Sequence, residues 1–414
     1  MGIGPSSKET TLHHFKEPLI ELISNDKEID FMGIIVEGTP EINSHKQFVA
    51  QRVGVLMETM RADGVIVSID SWGNSHIDFT SVIEAIGERG IPVVGLSFVG
   101  NQASFVVTNR YMDTIIDVNK NELGIETTVV GENTIVEMDA FKALAILKNK
   151  IKKKSPEDVC ALIQEKRIRK LFIKSFKIDD VILSEKTIIE NKIIYINKNI
   201  TKNIIKRYEK IDDLKINIIY PGNHDVFINS ILDFSPIATK VLGKPGEGIT
   251  HEITGVKVML TGVESSGFQA ANIGSSEGIL REKVKFNRSG TPFEDDIIIH
   301  IDVVLAEGEA RTKTGIMAAH KACDEIIQEI RENLKDINSS FAVEKNEYYD
   351  VIRKGGKKVV LVKLVSGLGC MYDTGLFPKE PGGYIGCRSI MDLGNMQVTI
   401  SPNEYRDGVI RSLS

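Results

Sequence analysis

Three apolar runs between residues 29 and 98, IDFMGIIVEG, DGVIVSID and IPVVGLSFVG, restrict this chain to few architectures. Each is apolar at successive rather than alternate positions and is bounded by glycine, which is how a strand covered on both faces reads. Between the first two, Val49, Val53, Leu56 and Met60 recur at helical spacing; after the second, Phe79, Val82, Ile83 and Ile86 do the same. Strand alternating with helix, joined by right-handed crossovers, makes a parallel sheet covered by helices. The helix MDAFKALAILKNK closes the unit, so residues 1–150 are expected to form a parallel-sheet βαβ domain of the α/β class.

A chain of 414 residues is too long for one ordinary core. From about residue 176 short β-rich pieces follow one another: KIDDVILS, KIIYIN, LKINIIYP, ITHEITGVKVMLTG and DIIIHIDVVLAEG. A helix is predicted over 316–334, where Ile316, Ala319, Cys323, Ile326, Ile330 and Leu334 share one face, and the strand KKVVLVKLVSG comes after it. Residues 176–414 are therefore expected to be α+β, with a β-rich front portion. Between the two parts, residues 148–177 hold eleven lysines and arginines against Glu157, Asp158 and Glu165. Aromatics are sparse there and no binding motif is present, which favours a solvated linker helix over 151–175 rather than a nucleic-acid patch.

The net charge of −6 argues against nucleic acid as a partner of the whole molecule. No apolar run reaches the roughly 18 residues that a spanning helix needs, and no charged-then-apolar leader opens the chain. A cytoplasmic location, away from membranes, is the expectation. Cys160, Cys323, Cys370 and Cys387 lie far apart, so free thiols are expected rather than zinc or dithiol chemistry.

The loop SIDSWGNSHIDF, residues 68–79, stands where a parallel strand ends and a helix begins, the usual ligand position in open α/β folds. Asp70, Asn74 and His76 put a carboxylate, an amide and an imidazole there. Ser75 and Asp78 have the spacing of a capping box. Trp72 is either a lid over a small ligand or a packed anchor. In ESSGFQAANIGSSEGILRE, residues 264–282, the turn around Ser275 and Glu277 either offers backbone N–H groups to an anion or closes a hairpin. It is no P-loop, and GLGCMYDTG is no dinucleotide fingerprint, because Tyr372 stands where a third glycine is required. The pairs His76/Asp78 and His300/Asp302 could each present two ligands on a strand face, but ordinary histidines explain them more simply. His13 and His14 would point about 100° apart on a helix. No metal is expected.

Taken together, GIGPSSKE, ADGVIVSIDSWGNSHIDF, RGIPVVGLSF, ATKVLGKPGEGIT, GSSEG, DLGNM and SPNEYRDGVI resemble the D-proline reductase (dithiol) family. The glycine and betaine reductase proprotein is a more distant relative. The resemblance covers nearly the whole chain apart from the basic linker. In the family's pyruvoyl-forming proprotein, PrdA, the region similar to 176–414 comes first and that similar to 2–150 follows. Here the order is reversed, as if a PrdE-like half were joined to a PrdD-like half. The proprotein's seam then corresponds to the two ends of this chain, RSLS and GIGPSSKE, which are expected to lie side by side.

The resemblance implies a chemistry at that seam. The proprotein cleaves itself before a cysteine, which becomes an N-terminal pyruvoyl group. That ketone condenses with proline's amine and exposes the substrate to a selenol on a partner subunit. The matching position here is Gly2, which has no heteroatom on Cβ and only Met1 before it. Ser6 and Ser7 fit a capping box with Glu9. Neither a pyruvoyl group nor another cofactor is expected. The family's DLGNM is usually followed by proline, and here by Gln397.

By this resemblance the chain is expected to be an accessory or structural subunit of a proline reductase system in anaerobic amino-acid fermentation. It would work within an oligomer beside reductase subunits, one of them carrying selenocysteine, and face a small amino-acid ligand. If the chain is instead an oxidoreductase whose electrophile a partner supplies, Lys8, Glu9, Asp70 and His76 are the candidates for positioning and proton transfer. Gly2, Trp72, Asn74, Asp78, Ser275 and Glu277 would then line the pocket. A proline-binding module without turnover is the third expectation.

Overall fold

The computed structural model of the chain describes residues 10–40, 42–69, 73–102, 104–154, 163–270, 276–365, 373–379, 382–388 and 397–412. The expected parallel unit is present, with two strands more than the first 150 residues supply. Its sheet has six strands in the order Val398–Ile400, Ile29–Gly38, Lys357–Val365, Gly64–Ile69, Val93–Ser97 and Ile115–Asp117. All run parallel except the edge strand Val398–Ile400. Lys357–Val365, drawn from the far end of the chain, is inserted between the first two strands of the N-terminal part. Ile29 faces Lys357 on one side, and Gly64 faces Val359 on the other.

Helices cover both faces, as the sequence of apolar runs requires. Asn43–Thr59 and Ser75–Gly87 pack Val53, Met57, Phe79, Val82 and Ile86 onto one face. Pro18–Asn25 and Glu137–Lys154 pack Leu19, Ile23, Leu144 and Leu147 onto the other. Burying an apolar side chain of this size contributes about 1.5–3 kcal/mol. These two layers therefore supply most of the reason the sheet forms.

Among the described residues the second half contains two four-stranded sheets, two three-stranded ones and a two-stranded one. One runs Ser230–Ser235, Val256–Glu264, Ile297–Leu305 and Ile211–Ile219; the other runs Ala238–Leu242, Gly248–Thr254, Gln164–Lys177 and Glu344–Lys354. The long helix Lys313–Lys335 buries Ile316, Ala319, Cys323, Ile326, Ile330 and Leu334 against them, the face expected from its periodicity.

The basic linker is a correction. Lys148–Lys154 ends the helix Glu137–Lys154, but Gln164–Lys177 is a 14-residue strand, parallel to Gly248–Thr254 and antiparallel to Glu344–Lys354. Leu171, Ile173 and Ser175 point inward, whereas Lys170 points outward to Glu347 at 2.8 Å. Charge alternates with apolar residues at the strand period, and a count of charges does not see a period.

Two of the quoted motifs meet in the interior. In ATKVLGKPGEGIT, the ammonium of Lys240 pairs with Asp407 of SPNEYRDGVI, which also accepts from Thr250 Oγ1 at 2.8 Å and from the Gly246 N–H at 2.8 Å. Gly246 has φ +80°, and a Cβ there would stand 2.9 Å from the Glu404 backbone nitrogen. Glycine is needed for that close approach. These motifs clamp the C-terminal segment onto the second half. Residues 1–9 and 413–414 lie outside the described residues; the nearest described elements, Thr11–Phe15 and Ile410–Ser412, lie against each other.

Candidate functional site

The carboxyl end of the six-stranded sheet gathers buried polar groups on both faces. On one face, the helix Ser75–Gly87 begins just after the strand Gly64–Ile69 and brings His76 against Ser97, the last residue of the neighbouring strand. His76 Nε2 lies 2.8 Å from Ser97 Oγ, and the hydroxyl donates onward to the Phe98 carbonyl at 3.3 Å. In the tautomer that donates through Nε2, Nδ1 is left as an acceptor. Nδ1 is buried and has no hydrogen-bond partner among the described residues. Phe105 packs tilted against the ring with centroids 4.5 Å apart, and burial pulls the imidazole down to about 4, so it is neutral at physiological pH.

Asp78 turns elsewhere. Residues two apart on a helix do not face each other, and Asp78 Oδ2 pairs with Lys46 Nζ at 2.5 Å across to the helix Asn43–Thr59. Burial raises this carboxyl to about 7 against the pull of Lys46. His76 and Asp78 thus do not converge on one ligand, and the capping role expected for Asp78 gives way to this pair. Thr39 Oγ1 and Ser68 Oγ, at the ends of two central strands, are also buried without a partner among the described residues.

On the opposite face lies a chain of charges. Lys363 interrupts the apolar strand Lys357–Val365 and reaches Glu17 Oε2 at 2.5 Å; His13 Nε2 reaches the same oxygen at 2.7 Å. Ser289 Oγ meets His13 Nδ1 at 2.8 Å. Burial alone would raise the Glu17 carboxyl, but Lys363 and His13, by charge and hydrogen bond, hold it well below the usual carboxylate range. Thr10 bonds the Gly290 carbonyl at 2.7 Å, and Thr11 donates to Asp233 through its N–H at 2.8 Å and its hydroxyl at 2.5 Å. The short helix Thr11–Phe15, which follows GIGPSSKE, is therefore pinned between the two halves.

Burial raises Asp233 to about 7, outweighing the Thr11 hydrogen bonds. Its folded pKa lies above the unfolded value of about 3.9, so it contributes stability below that value that is lost as pH rises toward 7. Asp233→Asn keeps the shape without the titration. Urea unfolding from pH 4 to pH 8 should show the wild type losing up to about 4 kcal/mol relative to the variant. A constant difference would refute the assignment.

Of the residues picked from sequence, Asn74, His76 and Asp78 stand at the carboxyl end of the sheet. Glu277 lies beside Gly278–Ile279 in the second half, where Ser276 Oγ accepts the Ile231 N–H at 2.9 Å, a structural use of that turn. Gly2, Lys8, Glu9, Asp70, Trp72 and Ser275 lie outside the described residues. His300 and Asp302 share a strand face as expected, and both bond Thr261, at 2.8 and 2.6 Å. Among the described residues no group of three potential metal ligands occurs, and no helix is long and apolar enough to cross a membrane. Sequence reasoning missed Glu17 and Lys363. The visible signals were a lysine inside an apolar strand and a His-x-x-x-Glu pair at helical spacing.

The family described as glycine/sarcosine/betaine reductase component B subunits matches residues 2–140 and 169–380. The unmatched stretch between them contains most of the helix Glu137–Lys154 and the start of the strand Gln164–Lys177. The chain is 41% identical over 252 residues to the D-proline reductase proprotein PrdA of Acetoanaerobium sticklandii, covering 61% of this chain and 40% of that protein. The alpha subunits of sarcosine and betaine reductase complex component B from Peptoclostridium acidaminophilum are 28% and 30% identical over 94 residues, 22% of this chain and 22% and 21% of theirs. This chain thus spans well under half the length of the relatives it matches. A pyridoxal 5'-phosphate-dependent aspartate racemase aligns with a TM-score of 0.16 at 10% identity, over 83% of this chain and 87% of its own, too slight a likeness to bear on the fold. With most of its length matched, the chain belongs to the glycine/sarcosine/betaine reductase component B family and, within it, is similar to D-proline reductase.

Proposed function

We propose that this chain is a pyruvoyl-less member of the family, acting as an accessory or structural subunit of a proline reductase system in the cytoplasm of an anaerobe. The observation that carries the proposal is the glycine at position 2, in front of the helix pinned by Thr11 and His13. Making a pyruvoyl group needs a heteroatom on Cβ to attack the preceding carbonyl and then eliminate. Glycine has none. A chain with this buried polar framework and no electrophile of its own would suit assembly with catalytic subunits, including a selenocysteine-containing one. Intact mass and hydrazine trapping should find no protein carbonyl, and pull-down from an anaerobic host should recover reductase subunits. A trapped carbonyl, or recovery of no reductase subunit, would sink the proposal.

A second reading, a proline-binding module without turnover, is favoured by the buried Nδ1 of His76, which has no hydrogen-bond partner among the described residues and lies beside Phe105. A secondary ammonium could donate to that nitrogen. Saturation at 100 times Kd stabilises by about 2.7 kcal/mol, so a thermal-shift titration with D-proline separates the two readings.

A further inference from the structure

The four-stranded sheet that begins with Ser230–Ser235 has two edges, and they are finished differently. On Ser230–Ser235 the N–H groups of Ser230 and Ile231 donate to Gln269 Oε1 at 2.8 Å and to Ser276 Oγ at 2.9 Å, side chains that close this edge. The opposite edge is Ile211–Ile219, which pairs with Ile297–Leu305 and with no other strand among the described residues. Its Asp212, Lys215 and Asn217 are exposed. Such an edge offers a row of unused N–H and C=O groups to another strand.

The phase of this backbone can be read at Leu214, whose N–H donates to Asp213 Oδ1 at 2.9 Å. In an antiparallel ladder successive residues alternate between facing the neighbouring strand and facing away from it. Asp212, Leu214, Ile216 and Ile218 therefore turn their backbone groups outward. Asp213 and Lys215 share one face of the sheet, with side chains 46% and 62% exposed and 3.3 Å apart. Charged side chains ordinarily protect an edge from pairing. Here the two signs stand two residues apart, and a two-fold axis at Leu214 turns that spacing into complementarity.

We propose that Ile211–Ile219 is a self-association surface, on which the same strand of a second copy of this chain pairs antiparallel about a two-fold axis at Leu214. Leu214 then faces Leu214, and Asp212 faces Ile216 through the outward hydrogen bonds. Asp213 of each copy faces Lys215 of the other, in the non-hydrogen-bonded pairs where side chains come closest. Moving the axis by one residue sets Asp213 against Asp213 or Lys215 against Lys215, which like-charge repulsion disfavours. The charges thus choose the register, and the contact is isologous, the self-complementary kind that closes a dimer. It joins the two sheets edge to edge.

The test uses the full chain. Sedimentation velocity between about 1 and 100 µM should show a monomer–dimer equilibrium, as suits a contact smaller than a standard interface. Asp213→Lys and Lys215→Asp each set like charges opposite one another and should each weaken dimerisation about tenfold or more. The double variant restores both ion pairs with the signs exchanged, so its dissociation constant should return to within about threefold of the wild type. In the wild type, hydrogen exchange over residues 211–219 should slow from the dilute to the concentrated sample. A monomer throughout that range, a dimer indifferent to the single swaps, a double variant no tighter than the singles, or no protection of 211–219 overturns the proposal. The exchange measurement decides the matter even if a swapped variant does not fold. A chain that recovers no reductase subunit can still dimerise, so this result stands apart from the hydrazine and pull-down tests above.

Discussion

Residues 1–154 produced alone are expected to stay unfolded, and to fold when co-produced with residues 163–414 as a second polypeptide. The two should then purify as one complex and unfold together in a single urea transition. The reason is the strand Lys357–Val365, whose Val359, Val360, Leu361, Val362, Leu364 and Val365 are 0–1% exposed at the centre of the sheet. At about 1.5–3 kcal/mol each, these six side chains contribute roughly 9–18 kcal/mol, as much as the whole stability of an ordinary domain. Without them the strands Ile29–Gly38 and Gly64–Ile69 face each other across a gap. A soluble, cooperatively folded 1–154 fragment would show that the insertion is not required.

Lys363→Met is expected to cost about 3–5 kcal/mol, because it leaves the Glu17 carboxylate buried without its ammonium. The double variant Glu17→Leu/Lys363→Met removes both charges and should recover most of that loss, since a buried ion pair is often replaceable by apolar side chains of similar volume. Urea denaturation of the two single variants and the double gives the coupling energy. If Lys363→Met alone is neutral, the pair is not holding the helix Thr11–Phe15 in place.

Much of the architecture was legible in the amino-acid sequence, for a physical reason. Strands buried on both faces must be apolar throughout, so Ile29–Gly38, Gly64–Ile69 and Val93–Ser97 announce themselves. The helix Lys313–Lys335 announces itself by period. Gln164–Lys177 did not, because its inward Leu171 and Ile173 are outnumbered by outward lysines and arginines. Nothing local in KKVVLVKLVSG says between which strands it inserts; that is decided by partners far away in the chain.

The polar sites were harder still. His76 is recognisable as an imidazole near a strand end, but the direction of its lone pair depends on Ser97 and Phe98. Asp78 looked like a cap because spacing along one helix was visible and Lys46 on another was not. The charged chain through Glu17 draws on residues 13, 17, 289 and 363, which only the folded sheet brings together.

The inserted strand also dictates the order of events during synthesis. Ile29 pairs with Lys357, so the nascent N-terminal segment leaves the ribosome about 300 residues before its neighbour does. At about 5–20 residues per second that is a wait of roughly 15 to 60 s with two sticky edges uncovered. A protein built this way is a natural client of holding chaperones, and slow-translating codons upstream of residue 357 would lengthen its most aggregation-prone interval.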